Sequence, residues 1–270
     1  MKKILVELNQ TCNLNCEYCF YKDYGRKKSH LNLNKLIKLG IEKYDVIYLT
    51  GGEPFLNQDI YNILKYLYQK QKKIIVFTNG TLLLKKSEKE IEEILKYLDK
   101  IIITLDSLES TYTLRELSEQ ENIKKIIDII LKICKEKLEI KIGVNKLNIL
   151  TLEETINYLT KKGVKNLSFN LIHNIKTCEK NIQLKEEKEY NYFLFIMNKY
   201  IKFFNEKSVI AFNKYLKSDF DFHIKTCICG EKFEFMDCDG NFYFCPANLK
   251  NNIKKINCFS EECINLWEMF

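Results

Sequence analysis

Short runs of β-branched and aliphatic residues alternate along the first two thirds of the chain with segments whose apolar positions recur three and four apart. The apolar runs at 4–8, 46–50, 73–78, 101–105, 139–144 and 166–171 are near-continuous. That is the pattern of strands covered on both faces. Between them, 33–42, 60–68, 88–98, 123–135 and 152–162 read as amphipathic helices, with Gly163 as a terminator. Strands alternating with helices at this spacing predict an α/β fold of six βα units: a curved parallel sheet or partial barrel, with its chemistry at the carboxyl ends of the strands. The alternation stops after Leu171, and 184–204 reads as one long helix whose stripe of Tyr190, Phe193, Leu194, Met197, Ile201 and Phe204 suits core packing. Further on, Asp237-Cys238-Asp239-Gly240-Asn241 is a turn signal between strand-like segments 232–235 and 242–244. The expected organisation is a core at 1–180, a helical connector at 181–224 and a small Cys-rich module at 225–270.

Composition narrows the classes. At 270 residues, 46% hydrophobic, 29% charged, with 2 Pro and 9 Gly, the chain is that of a folded globular protein. No apolar stretch approaches the roughly 18 residues of a membrane span. The start, Met1-Lys2-Lys3-Ile4-Leu5-Val6-Glu7, meets an acid before a secretory apolar region forms. A cytoplasmic protein is therefore expected. The net charge of +7 comes almost entirely from lysine; Arg26 and Arg115 are the two arginines. Lysines interleaved with glutamates describe solvated helix faces, which argues against a nucleic-acid partner. None of the 3 histidines has the neighbourhood of an acyl-transfer triad.

Cysteine changes the picture. Eleven thiols without an export signal point to metal or redox chemistry rather than disulfides. Cys12, Cys16 and Cys19 crowd the N-terminus, and Cys227, Cys229, Cys238, Cys245, Cys258 and Cys263 crowd the C-terminus. Cys134, on an apolar helix face, reads as a small buried hydrophobe, and Cys178 has no assigned role. The CxxxCxxC spacing lets one loop wrap three sulfurs around one centre. Structural zinc wants four ligands. A [4Fe–4S] cluster held by three cysteines instead leaves one iron open to an exogenous ligand.

This motif, with Tyr18 before its third Cys and Phe20 after it, resembles that of the radical S-adenosylmethionine (SAM) enzymes. Gly51-Gly52-Glu53-Pro54 after the second strand resembles the family's GGE motif, in which backbone and carboxylate hold the methionine ammonium of SAM. Thr78-Asn79-Gly80 after the third strand is similar to the TNG often found there. Ile103-Thr104-Leu105-Asp106 resembles the segment that reaches the SAM ribose, with Thr104 and Ser107 where Ser and Gly are frequent. Val144-Asn145-Lys146-Leu147-Asn148 looks like a further SAM-contacting segment. The resemblance covers about residues 4–175. It implies a radical SAM enzyme in which Cys12, Cys16 and Cys19 hold the cluster, and Tyr18, Gly51, Gly52, Glu53, Thr78, Asn79, Thr104, Asp106 and Asn145 surround SAM. It also implies reductive cleavage of SAM to a 5′-deoxyadenosyl radical and a flavodoxin- or ferredoxin-type electron donor.

At the other end, Cys229, ten residues, Gly240, four residues and Cys245 bring two thiols together across the hairpin. Cys258 and Cys263 can complete a four-sulfur site. The arrangement resembles SPASM and twitch auxiliary-cluster domains, lacking the dense later cysteines of the full SPASM pattern. A single auxiliary [4Fe–4S] cluster is implied, with a zinc ribbon as the alternative; Cys227 and Cys238 are unassigned and either could displace a member of the set. Such domains accompany many ribosomal-peptide maturases, so a peptide substrate undergoing crosslinking, thioether formation or epimerisation is expected. With the first cluster cysteine at residue 12, leader recognition falls to a separate protein, or the peptide binds directly. The alternatives are a twitch-type enzyme acting on a small molecule, such as an alcohol dehydrogenase, and a non-enzymatic Fe–S or zinc protein.

Overall fold

A computed structural model describes residues 1–19, 21–109, 115, 119–172, 181–184, 186–204 and 233–243. Eight strands form one sheet in the order β6-β5-β4-β3-β2-β1-β7-β8. Strands β1 (Lys3–Glu7), β2 (Val46–Thr50), β3 (Lys73–Thr78), β4 (Lys100–Leu105), β5 (Leu138–Val144) and β6 (Leu167–Leu171) run parallel, as the alternation predicts. Among the described residues, β6 and β8 are the two edges of the sheet.

Helices α1 (Tyr21–Tyr24), α2 (Leu33–Lys38), α3 (Ile60–Gln69), α4 (Glu88–Tyr97), α5 (Glu119–Cys134), α6 (Leu152–Lys161) and α7 (Glu187–Lys199) complete the element order. The expected 33–42 helix ends early because Gly40 takes a φ of 74° and starts a separate 3-10 turn, Ile41–Lys43. The 184–204 helix is likewise shorter: a Glu186–Glu189 capping box starts it, and a 3-10 turn at Ile201–Phe203 follows. Ser87 and Glu90 box the start of α4 in the same way.

The sheet has two unlike faces. Alternate residues Ile4, Val6, Ile47, Leu49, Ile74, Val76, Ile101, Ile103, Ile140 and Ile142 join the helices in one continuous buried core. The opposite face is apolar only around β1–β4 and β7, where Leu5, Tyr48, Ile75, Ile102, Phe233 and Phe235 cluster. On β5 and β6 that face carries Glu139, Lys141, Ser168 and Asn170. Lys141 lies in register between Thr104 and Ser168, and its Nζ stands 5.2 Å from the Phe77 ring centroid.

The hairpin expected inside the 225–270 module is present as β7 (Phe233–Met236) and β8 (Phe242–Tyr243). It extends the core sheet: β7 pairs in parallel with β1 over Lys3↔Phe233 to Val6↔Met236, and β8 returns antiparallel. Cys134, expected to be buried, is half-exposed at the end of α5, where its thiol donates to Glu136 Oε1 at 3.1 Å. Among the described residues, no helix is long and apolar enough to cross a membrane.

Candidate SAM and cluster site

The loop after β1 is built by backbone pairing with the loop after β2. Gly52 N donates to Asn9 O (2.9 Å), Glu53 N to Thr11 O (2.8 Å) and Asn9 Nδ2 to Glu53 O (3.1 Å). The two glycines make this approach feasible. A Cβ on Gly51 would meet Asn9 O at 2.5 Å; one on Gly52 would lie 2.6 Å from Gln10 O and closer still to Thr11 O. What the GGE glycines admit is thus the cysteine loop's own backbone.

Three half-buried thiols project from this loop. Cys12 Sγ accepts from Leu14 N (3.4 Å) and from Asn79 Nδ2 (3.9 Å). Cys19 N bonds Cys16 O at 3.2 Å, turning the chain into α1. Burial pushes the Cys16 thiol up to about 11; the charge of Arg115 opposes this, while Asp106, Cys19 and Cys12 reinforce it. Such a thiol ionises poorly when free, whereas bound iron would release its proton. Among the described residues, no three His, Cys, Asp or Glu side chains converge as ligands of a single ion. Three thiols on one loop suit a polynuclear cluster, where each thiolate meets a different iron.

Glu53 is fully buried and joins the loops after β2 and β3. Its carboxylate accepts from Thr78 Oγ1 (2.8 Å), Asn79 N (2.9 Å) and Phe55 N (3.1 Å). Burial outweighs these donors and raises its pKa to about 7. Gly80, at φ 79°, makes the turn that aims Asn79 back at the cysteine loop. There Asn79 Nδ2 bonds Asn13 Oδ1 (3.0 Å), and Asn13 Nδ2 bonds Thr81 Oγ1 (2.8 Å). Thr78 and Asn79 thus brace the loops.

Asp106, following β4, is buried and accepts from Tyr18 Oη (2.9 Å) and Arg115 Nε (3.2 Å) through Oδ1. Asn148 Nδ2 fixes the segment by donating to Asp106 O and Gly143 O, both at 2.7 Å. Asn145 holds its own turn through Oδ1, which accepts from Leu147 N at 2.8 Å. Thr104 lies half-buried on the polar face of β4. Four buried polar atoms at this end of the sheet have no hydrogen-bond partner: Asn9 Oδ1, Asp106 Oδ2, Asn145 Nδ2 and Asn170 Oδ1. Such atoms are rare in folded proteins and mark where a polar ligand completes the site. Carboxylate, amide donor and amide acceptors together suit a zwitterionic ligand bearing a hydroxylated ring, so the residues present fit SAM.

The structure brings Cys12, Cys16, Cys19, Tyr18, Gly51, Gly52, Glu53, Thr78, Asn79, Asp106 and Asn145 to one end of the sheet. Cys178, Cys227, Cys229, Cys245, Cys258 and Cys263 lie outside the described residues. Cys238 is buried in the β7–β8 turn, where its N–H donates to Glu7 Oε2 at 3.1 Å. Glu7 also accepts from Gln10 Nε2 (3.0 Å) and the Tyr21 hydroxyl. Burial and Glu7 push the Cys238 thiol far above its ordinary range, so it is held protonated. Sequence reasoning gave no site role to Arg26, Arg115 or Asn13, and named Asn148 only as part of the segment 144–148. One signal was available: in a chain so rich in lysine, both arginines sit beside the cysteine loop.

A largely parallel sheet whose strand ends carry a cluster-type thiol loop beside unpartnered buried polar atoms suits an iron–sulfur enzyme. Residues 6–161 match the Radical SAM superfamily, and the chain belongs to that superfamily of enzymes, which use a [4Fe–4S] cluster and SAM. It is 26% identical over 197 residues to a probable GTP 3′,8-cyclase of Sulfurisphaera tokodaii, a match covering 70% of this chain and 62% of that protein. It is 34% identical over 110 residues to the antilisterial bacteriocin subtilosin biosynthesis protein AlbA of Bacillus subtilis, covering 38% of this chain and 24% of AlbA. Among solved structures, Streptococcus suis SuiB bound to precursor peptide SuiA superposes with a TM-score of 0.69 at 15% identity, over 98% of this chain and 64% of SuiB. The chain thus spans less than two thirds of these relatives.

Proposed function

We propose that the chain is a radical SAM enzyme acting on a peptide, with Cys12, Cys16 and Cys19 holding the SAM-binding cluster. The observation that carries the SAM site is the pinning of the cysteine loop to the Gly51-Gly52-Glu53 loop, Glu53 N to Thr11 O at 2.8 Å, beside the unpartnered Asp106 and Asn145 atoms. One electron from the reduced cluster would cleave the sulfonium of SAM into methionine and a 5′-deoxyadenosyl radical, which takes a hydrogen atom from substrate to become 5′-deoxyadenosine. The chain's part is to orient and to exclude water. Glu53 would receive the amino group and Asp106 and Asn145 would offer their unpartnered atoms to the rest of SAM, while Tyr18 fixes Asp106. The polar face of β5 and β6, with Lys141 and Asn170, would face the substrate.

A peptide substrate is supported by the likeness to AlbA, named for bacteriocin biosynthesis, and by the SPASM/twitch-like spacing of Cys229, Gly240, Cys245, Cys258 and Cys263, read as ligands of an auxiliary [4Fe–4S] cluster. The second reading is a small-molecule substrate, favoured by the longer alignment to a probable GTP 3′,8-cyclase. A flavodoxin- or ferredoxin-type protein would supply the electron.

Iron and acid-labile sulfide in anaerobically purified chain test the cluster assignment. About eight irons falling to about four in a Cys12, Cys16, Cys19 triple-alanine variant is expected for two clusters. About four falling to none, with zinc present, would make the C-terminal cysteines a zinc staple. Mass changes of a few daltons in peptides encoded by neighbouring genes, set against incubation with GTP, separate the two substrate classes.

A further inference from the structure

Arg26 is an exposed residue whose guanidinium is nevertheless engaged on several sides. Nη1 approaches Gln10 O (3.4 Å), and Nη2 approaches Leu14 O (3.5 Å) and Cys19 Sγ (3.6 Å). Residues 10, 14 and 19 are the start, middle and end of the loop that carries Cys12, Cys16 and Cys19. The backbone beside Arg26 is held as well: Lys27 N donates to Gln10 Oε1 at 2.8 Å, and Lys27 Nζ pairs with Asp239 and, at 3.6 Å, with Asp237 of the hairpin turn. Only a planar fork with several N–H groups can reach two carbonyls and a sulfur at once; a lysine ammonium is a single point.

We propose that Arg26 is a positioning residue for the cluster: it staples the cysteine loop, and its donation to Cys19 Sγ makes the cluster easier to reduce. The proposal rests on the assignment of Cys12, Cys16 and Cys19 as cluster ligands. Adding an electron raises negative charge on the cluster sulfurs, so a donor on one of them stabilises the reduced form more than the oxidised form. Because Arg26 is exposed, solvent and salt screen its charge, and the hydrogen bond carries most of the effect.

The test compares wild type with R26Q and R26K after anaerobic reconstitution, reading iron per chain, iron loss to a chelator and the midpoint potential followed by EPR. Circular dichroism melting of the apo chains controls for folding; an exposed side chain outside the core should leave it unchanged. The expected result is a lower potential and faster iron loss in R26Q. R26K should recover part of the potential through its charge and little of the chelator resistance, which needs the fork. R26Q that fails to hold a cluster while melting as wild type supports the staple. R26Q that matches wild type in both potential and iron retention overturns the proposal. A wild-type chain that takes up no iron would instead overturn the cysteine assignment, and the role of Arg26 with it.

Discussion

Arg115 Nε lies 3.2 Å from Asp106 Oδ1, both side chains are nearly shut off from solvent, and the second carboxylate oxygen of Asp106 has no partner. Burial disfavours the guanidinium charge, but Tyr18 and Asp106 beside it hold its pKa above the ordinary value. A buried ion pair with a spare acceptor is costly unless something uses the acceptor. At this place in the fold, SAM is the user that we propose. Removing one partner strands the other's charge, so D106N should destabilise the ligand-free chain by about 3 kcal/mol. The double variant D106N/R115M should recover much of that loss, measured by urea unfolding. Additive losses in the double variant would mean that the pair does not couple.

Glu53 predicts a pH dependence. An ordinary glutamate titrates near 4.5, and burial moves this one to about 7. Between those values the unfolded chain is ionised at this position while the folded chain keeps its proton. Its stabilising contribution is therefore complete below about 4.5 and is lost as pH rises through about 7, by an amount on the order of 2–3 kcal/mol. The difference in unfolding free energy between pH 5 and pH 8 should be smaller in E53Q than in wild type. The absolute stability of E53Q is not the readout, because a Gln amide would face the N–H groups of Asn79 and Phe55. Bound SAM should also reduce the wild-type slope, since its ammonium favours the carboxylate.

How much of this was legible in the sequence differs between elements. The parallel strands β1–β6 were readable because each is a local apolar run, and CxxxCxxC, Gly51-Gly52-Glu53 and Thr78-Asn79-Gly80 because each is a local spacing. The Arg115–Asp106 pair, the Arg26–Cys19 contact and the addition of β7 to the edge of β1 are relations between distant residues that no periodicity encodes. The polar face of β5 and β6 sat in plain view as the alternation in Glu139-Ile140-Lys141-Ile142 and Ser168-Phe169-Asn170, but strands covered on both faces were expected. The close approach of Asn9–Thr11 to Gly51 and Gly52 is likewise a long-range relation that the spacing of the motif does not encode.

That approach gives a third prediction. In G52A the added methyl would overlap Thr11 O and Gln10 O, both rigid backbone atoms, so the cysteine loop must shift. The core beneath consists of strand residues such as Val6 and Leu49 and is untouched. G52A should therefore retain wild-type circular dichroism while binding markedly less iron at the Cys12, Cys16, Cys19 site. Normal iron content in G52A would show that the two loops can separate without consequence for the cluster.

Cys238 supplies the last prediction. It is one of the six C-terminal cysteines, yet it is buried in the β7–β8 turn with its N–H and its thiol both engaged by Glu7. Its backbone N–H and side chain both serve Glu7, and the Tyr21 hydroxyl meets the same carboxylate two residues beyond Cys19. Cys238 therefore belongs to the contact that seats the hairpin on β1. C238A should lower stability by about 1–3 kcal/mol, the range for leaving a buried hydrogen-bonding group without its partner. It should leave total iron per chain unchanged, whereas C229A and C245A should remove the auxiliary cluster. Loss of about four irons in C238A, with the SAM-cluster signal intact, would place Cys238 among the auxiliary ligands and require the β7–β8 turn to open when that cluster is bound.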